Sequence, residues 1–137
     1  MIGVSSLWET APIGDIPQGD YLNAVVVLDT VAGPRPLLAE FLGIEADAGR
    51  ERRERWGPRP LDLDLLLCGD AVIDTPGLQV PHPRMTGRRF VLEPLAEVWP
   101  DAVVPGRGAV ATLLAGVQDQ GVRRVDGAEW TRVFGSA

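Results

Sequence analysis

The sequence contains no lysine, and among its 137 residues there is one cysteine, one histidine and one tyrosine. With Cys68 alone, no intramolecular disulfide can form, which suits a reducing compartment. Cys68 is read as a core residue at a strand end rather than a nucleophile, because it lies far in sequence from the sole histidine, His82. No stretch approaches the roughly 18 consecutive apolar residues of a membrane span, and the N-terminus lacks the basic flank of a secretion signal. A cytoplasmic protein is expected. There is no internal repeat and no low-complexity tract.

Without lysine, all of the positive charge is arginine, 13 residues against 19 acidic ones, for a net charge of −6. Such a chain is a poor binder of polyanions, which argues against a nucleic-acid partner. Its positive charge is local. Between Gly49 and Arg59, the arginines Arg50, Arg52, Arg53, Arg55 and Arg59 face only Glu51 and Glu54. That distribution suits a small anionic ligand. A length of 137 residues and 45% apolar content are enough for one domain with its own core, and a single domain over residues 1–137 is expected.

Local patterns order the elements. Ile2 to Trp8 is strand-like, and Glu9 to Gln18, punctuated by Pro12, Gly14 and Pro17, reads as loop. Tyr21 to Asp29 has a β-branched centre and predicts a strand buried on both faces. Pro34 and Pro36 open a helix whose Leu37, Leu38, Phe41, Leu42 and Glu45 make one stripe, ending near Gly49. Pro60 to Leu67 is expected as the central strand, Gly69 and Asp70 as a turn, and Ala71 to Asp74 as a short return strand. Pro76 to Gly87 reads as an ordered loop, Arg88 to Val98 as a helix broken by Pro94, and Ala109 to Gln118 as a further helix. Val122 to Asp126 and Glu129 to Phe134 predict a weak hairpin, and the tail beyond Gly127 carries no functional signal.

The arginine-rich stretch leads directly into an Asp-x-Asp pair. In a strand, side chains at i and i+2 point the same way, about 6 to 7 Å apart, so Asp62 and Asp64 share a face. Two neighbouring carboxylates repel unless a cation lies between them. Mg²⁺ prefers hard oxygen ligands and is usually held by one or two carboxylates together with substrate phosphates. Arginine forks meet phosphate oxygens two at a time. The pair beside the arginines is therefore a candidate site for a metal-bound polyphosphate, although the same motif also occurs on half-exposed strands with no ligand.

The run RWGPRPLDLDLLL, from Arg55 to Leu67, resembles the signature of the 6-hydroxymethyl-7,8-dihydropterin pyrophosphokinase family. SSLWETAPIG and QGDYLNAVVVLDT before it, and VPHPRMTGRRFVLEPLAEVWPD after it, follow the family's order, so that the likeness runs from Val4 to about Val104. The resemblance implies an α+β, ferredoxin-like sandwich with a mainly antiparallel sheet. It also implies a strand and helix before Val4 that this sequence does not carry, so a start placed too late, a truncated form, or a strand supplied by another chain is expected. An internal sheet edge left open by that loss favours self-association, where the family resemblance implies a monomer.

The implied activity is transfer of diphosphate from ATP to the hydroxymethyl group of a reduced pterin, giving the pterin diphosphate and AMP in folate biosynthesis, with two Mg²⁺ ions. By resemblance Asp62 and Asp64 hold the metal, and Arg50 and Arg59 reach the phosphates as their loop closes. His82 and Arg88 contact the nucleotide's phosphates, and Glu45 and Leu65 also match nucleotide-binding positions. Tyr21 and Phe90 sandwich the pterin, Asn23 supplies an amide to its edge, and the backbone around Thr10, Ala11 and Ile13 completes that edge. Trp56 covers the pterin on closure. Arg84 and Arg89 are read as surface or supporting residues. Two rivals stand beside this reading: a truncated, non-catalytic pterin- or nucleotide-binding fragment, and an RNA-binding module, which the net charge disfavours.

Overall fold

The computed structural model describes residues 3–10, 21–50 and 63–126, without the side chains of Tyr21, Arg50 and Asp126. In chain order the elements are β1 (Gly3–Val4), β2 (Leu7–Thr10), β3 (Tyr21–Asn23), β4 (Val26–Val27), α1 (Pro34–Arg50), β5 (Ile73–Thr75) and β6 (Leu78–Val80). A 3-10 turn (Met85–Gly87), α2 (Arg89–Val98), β7 (Val103–Val104), β8 (Gly108–Ala109), α3 (Val110–Ala115) and β9 (Val122–Asp126) follow. All strand pairs are antiparallel, which gives the mixed helix and antiparallel-strand architecture expected. The chain divides into two compact units, Met1–Asp29 with Arg84–Ala137, and Thr30–Pro83.

In the first unit, the expected long strand over Tyr21–Asp29 is two short ones, β3 and β4, facing β2 and β1. Ser5 makes the join. Its N–H donates to Val25 O, its Oγ accepts from Val25 N–H at 2.9 Å, and the same Oγ donates to Ser6 O at 2.7 Å. Hydroxyl bonds thus replace part of the ladder, and both serines are buried with their polar groups satisfied. The strand is also not buried on both faces: Leu22 is 56% exposed, and Val26 and Leu28 are exposed as well. β-Branched residues report a pleated environment, not its depth.

β9 joins β2 on the side opposite β3, so the small sheet runs β3-β2-β9, with an irregularity between Leu7 and Trp8. The expected partner of β9, over Glu129–Phe134, lies outside the described residues. Glu9 faces Arg123 across the ladder, and their side chains form an ion pair. α2 packs on β2, β3 and β4 and against α3. Its Leu92 and Leu95 are buried with Met85, Val104 and Val110 to form the core of this unit. Pro94 does not break α2, contrary to expectation. The missing N–H removes one helical bond, and burial of the ring beside Leu92 and Leu95 offsets that loss.

In the second unit, α1 begins at Pro34, with Pro36 inside the first turn, where an absent N–H leaves no helical bond unmade. Leu37 is buried and Leu38, Phe41 and Glu45 are half-buried, but Leu42 stands 59% exposed, outside the expected stripe. The hairpin β5–β6 turns through Pro76 and Gly77, the latter at φ 83°, a conformation open to glycine. Its first strand overlaps the expected return strand and its second falls at the start of the stretch expected to be loop; it buries Leu78 and Val80 while Gln79 and Asp74 bond to each other outside. Arg35 Nη2 donates to Thr75 Oγ1 at 2.9 Å, tying the start of α1 to β5. Residues 63–68 join no strand ladder among the described residues, where a central strand was expected. An apolar run becomes a strand only when a neighbour accepts its register, and this run bonds instead to a helix side chain and to the backbone of a loop. Among the described residues, no helix is long and apolar enough to cross a membrane.

Glu97, near the end of α2, locks the helix to β2. Its carboxylate accepts from Ser6 N–H at 2.8 Å, from Ser6 Oγ, and from Trp8 Nε1 at 3.1 Å. Partial burial pushes its pKa up, but the Ser6 and Trp8 donors and the charge of Arg124 together outweigh it and hold the carboxyl below the usual range. A carboxyl depressed in the folded state stabilises above its unfolded pKa, and this stability is lost as pH falls through the folded value. The thermal midpoint should therefore drop as the solution is acidified through the carboxylate range. Glu97→Gln should lower the midpoint at neutral pH, and the gap from the native protein should narrow in acid. Parallel melting curves across that range would rule out this role for Glu97.

Candidate functional site

The expected site residues fall on both units. In the first, Thr10 and Tyr21 are opposite neighbours in the β2–β3 ladder, and Asn23 sits opposite Trp8 two residues along. Asn23 Nδ2 lies 3.4 Å from Thr10 Oγ1, a long hydrogen bond that orients the amide along this edge. Such an amide can donate and accept at once, which suits the edge of a heteroaromatic ring. Phe90 lies in the first turn of α2 and is half-buried. Arg88, the residue that caps α2, places its guanidinium carbon 5.5 Å from the centre of the Phe90 ring, within the range of cation–π attraction. One cation and one aromatic expected to meet different ligands are thus in contact with each other.

In the second unit, the key contact is between α1 and the Asp-x-Asp stretch. Leu63, the residue between the two aspartates, donates its N–H to Glu45 Oε2 at 2.6 Å. A charge-assisted bond to the backbone at this point fixes the peptide from which Asp64 projects. Asp64 itself is exposed, and Leu65 beyond it is half-buried. Three residues after Leu63, Leu66 O accepts from His82 N–H at 2.8 Å, so the histidine loop is fastened to the same stretch. Glu45, expected at the nucleotide, is therefore seen holding the backbone at Leu63, next to Asp64. Sequence periodicity placed it on the inner stripe of α1 but could not name its partner.

Arg59, Asp62, Trp56, Ala11 and Ile13 lie outside the described residues, and of Tyr21 and Arg50 only the backbone is described, Arg50 as the last residue of α1. Among the described residues, no three His, Cys, Asp or Glu side chains converge in a metal-binding group. The donor chemistry of Asp64 nevertheless fits a hard divalent cation. It is a solvent-facing carboxylate on a backbone anchored at Leu63, the kind of ligand that leaves room for waters and phosphate oxygens around Mg²⁺.

Supporting residues that the sequence reading passed over are Glu97, which pins β2, and Gln120, which meets the start of α2. Neither lies in a motif. Each looks like an ordinary surface polar residue until its partner, 91 or 31 residues away, is known.

The protein-family model for 7,8-dihydro-6-hydroxymethylpterin-pyrophosphokinase matches residues 1–100, and the chain belongs to that family. It is 43% identical over 128 residues to the 2-amino-4-hydroxy-6-hydroxymethyldihydropteridine pyrophosphokinase of Pseudomonas aeruginosa, which covers 93% of this chain and 79% of the relative. The proteins of the same name from Haemophilus influenzae and Bacillus subtilis are similar as well. The first is 40% identical over 83% of this chain and 71% of its own length. The second is 50% identical over 69% of this chain and 57% of its own length.

Proposed function

We propose that this protein transfers diphosphate from ATP to the hydroxymethyl oxygen of 6-hydroxymethyl-7,8-dihydropterin, releasing AMP and the pterin diphosphate for folate biosynthesis. The observation that carries this reading is the family match over residues 1–100, which spans every candidate site residue from Thr10 to Phe90. In the reaction, the hydroxyl oxygen forms a bond to the β-phosphorus of ATP, the bond from that phosphorus to the α–β bridging oxygen breaks, and the hydroxyl proton is lost.

Such a transfer depends on positioning and charge stabilisation more than on covalent catalysis. Asp62 and Asp64 hold Mg²⁺, two ions in the full site. When bound, these ions neutralise charge on the phosphates and lower the pKa of the attacking hydroxyl. Glu45 supports this role by fastening the peptide between the two aspartates. Arg50 and Arg59 bind phosphate oxygens as their loop closes, with His82 and Arg88 as further phosphate contacts and Leu65 beside the nucleotide. Tyr21 and Phe90 stack on the pterin, with about 0.5 to 1.5 kcal/mol for each aromatic pair. Asn23 reads the pterin edge with the backbone of Thr10, Ala11 and Ile13. Trp56 covers the ring and excludes water, which would otherwise compete as acceptor. Because Arg88 lies over Phe90, a stacked pterin must take the other face of that ring or displace the guanidinium. The finer fold assignment, a ferredoxin-like sandwich, and a cytoplasmic location belong to the same proposal.

The direct test mixes the full chain with ATP, the pterin alcohol and Mg²⁺ and measures AMP. One AMP per pterin diphosphate is expected, abolished by chelating the metal and restored by adding it back. A thermal transition raised by ATP and Mg²⁺ without any AMP release would replace the enzyme by a binding-only protein.

A further inference from the structure

We infer that Gln120 is a positioning residue that fixes the start of α2 and, through it, the orientation of Arg88 and Phe90. This rests on the proposed reading of those two residues as phosphate and pterin contacts. Helix N-termini leave backbone N–H groups without intrahelical partners, and a Ser, Thr, Asp or Asn at the cap usually supplies an oxygen. α2 has Arg88 at that position, a side chain with no acceptor, and it makes no capping bond. The acceptor comes from elsewhere. Gln120 Oε1 receives the Arg89 N–H at 2.9 Å, from 31 residues further along the chain.

The same amide works in both directions. Gln120 Nε2 donates to Gly87 O at 2.8 Å, so one planar group spans the 3-10 turn and the first residue of α2, on either side of Arg88. Arg89 closes the arrangement. Its Nη1 donates to Gln118 O at 3.1 Å and to Gln120 O at 2.7 Å, and its Nε donates to Glu93 Oε1 at 2.9 Å. Arg89 thereby holds the loop after α3 in place for Gln120. All of these atoms belong to one compact unit. Gln120 lies beyond residues 1–100, outside the part of the chain that the family model matches.

A site residue two positions from a helix start inherits any looseness of that start. With Gln120 bound on both sides of Arg88, the φ and ψ angles that aim the guanidinium and the Phe90 ring are restrained before substrate arrives. Releasing them lowers affinity by the ordering that the ligand must then impose. The expected signature is a rise in KM, with little change in kcat.

The test uses the full chain with Gln120→Met, which keeps the length but loses both bonds, and Gln120→Glu, which keeps the acceptor for Arg89 N–H. The Met variant should raise KM for the pterin alcohol about fivefold, the scale of a lost helix cap, with kcat within about twofold. Exchange of the Arg89 amide hydrogen should speed up in parallel. The Glu variant, which keeps the Arg89 bond but loses the donor to Gly87 O, should recover both effects only in part. Faster exchange with an unchanged KM would reduce Gln120 to a purely structural part, and unchanged exchange would remove the cap itself; either result overturns the inference while leaving native turnover intact. A native protein that releases no AMP would instead overturn the pyrophosphokinase reading and this inference with it.

Discussion

Asp64→Asn should reduce AMP formation about a thousandfold while pterin affinity stays within about twofold, because the lost charge acts on the phosphates in the transition state and not on the bound ring. The substitution keeps the shape of the side chain and removes only the negative charge that a hard cation requires. Its backbone support should survive, since the Glu45 carboxylate bonds to Leu63 N–H and not to the aspartate. Single-turnover rates and pterin binding by fluorescence would separate the two quantities. A loss smaller than about tenfold would show that the metal is held elsewhere, and an equal loss of pterin binding would mean that the substitution had disturbed the fold. Asp62→Asn is expected to behave in the same way, as the other half of the pair.

The second large effect is on stability. Leu92→Ala should lower the unfolding free energy by about 2 to 5 kcal/mol, the range for a fully buried leucine whose cavity does not collapse. Leu92 has no exposed surface, and it lies with Leu95 and Met85 in the core on which α2 rests. For a chain of 137 residues such a loss corresponds to a fall in Tm of roughly 10 °C. The same truncation at Leu42 of α1, which is 59% exposed, should cost far less. Comparable losses at the two positions in urea or thermal unfolding would contradict the burial seen here.

Much of the candidate site was legible because its signals are short-range. The Asp-x-Asp spacing, the arginines before it and the sequence around His82 and Phe90 are contiguous, and a contiguous motif can be recognised without knowing what packs on it. The helix from Pro34 was equally legible, since proline preorganises a first turn and the 3-and-4 spacing of Leu37, Leu38 and Phe41 is periodic. The failures are of a different kind. Tyr21 to Asp29 has the pattern of one buried strand, but the buried Ser5 hydroxyl divides it and half of its aliphatic residues face water. Pro94 predicts a helix break, but the helix passes through it because its ring is buried. Leu63 to Cys68 has the composition of a strand, yet the described chain there has no ladder partner.

The sequence by itself determined the family, the candidate chemical groups and the local turns, since each depends on residue identity and on the stereochemistry of near neighbours. Pro76 with Gly77 specifies its turn wherever it is placed, and two carboxylates two residues apart repel in any context. Only the tertiary structure decided which backbone each polar side chain serves: Glu45 at Leu63, Glu97 at Ser6, Gln120 at Arg89, and β9 on the free edge of β2. These partnerships join residues far apart in the chain. Their choice depends on register and close packing in the assembled unit, and no local pattern of residues encodes either.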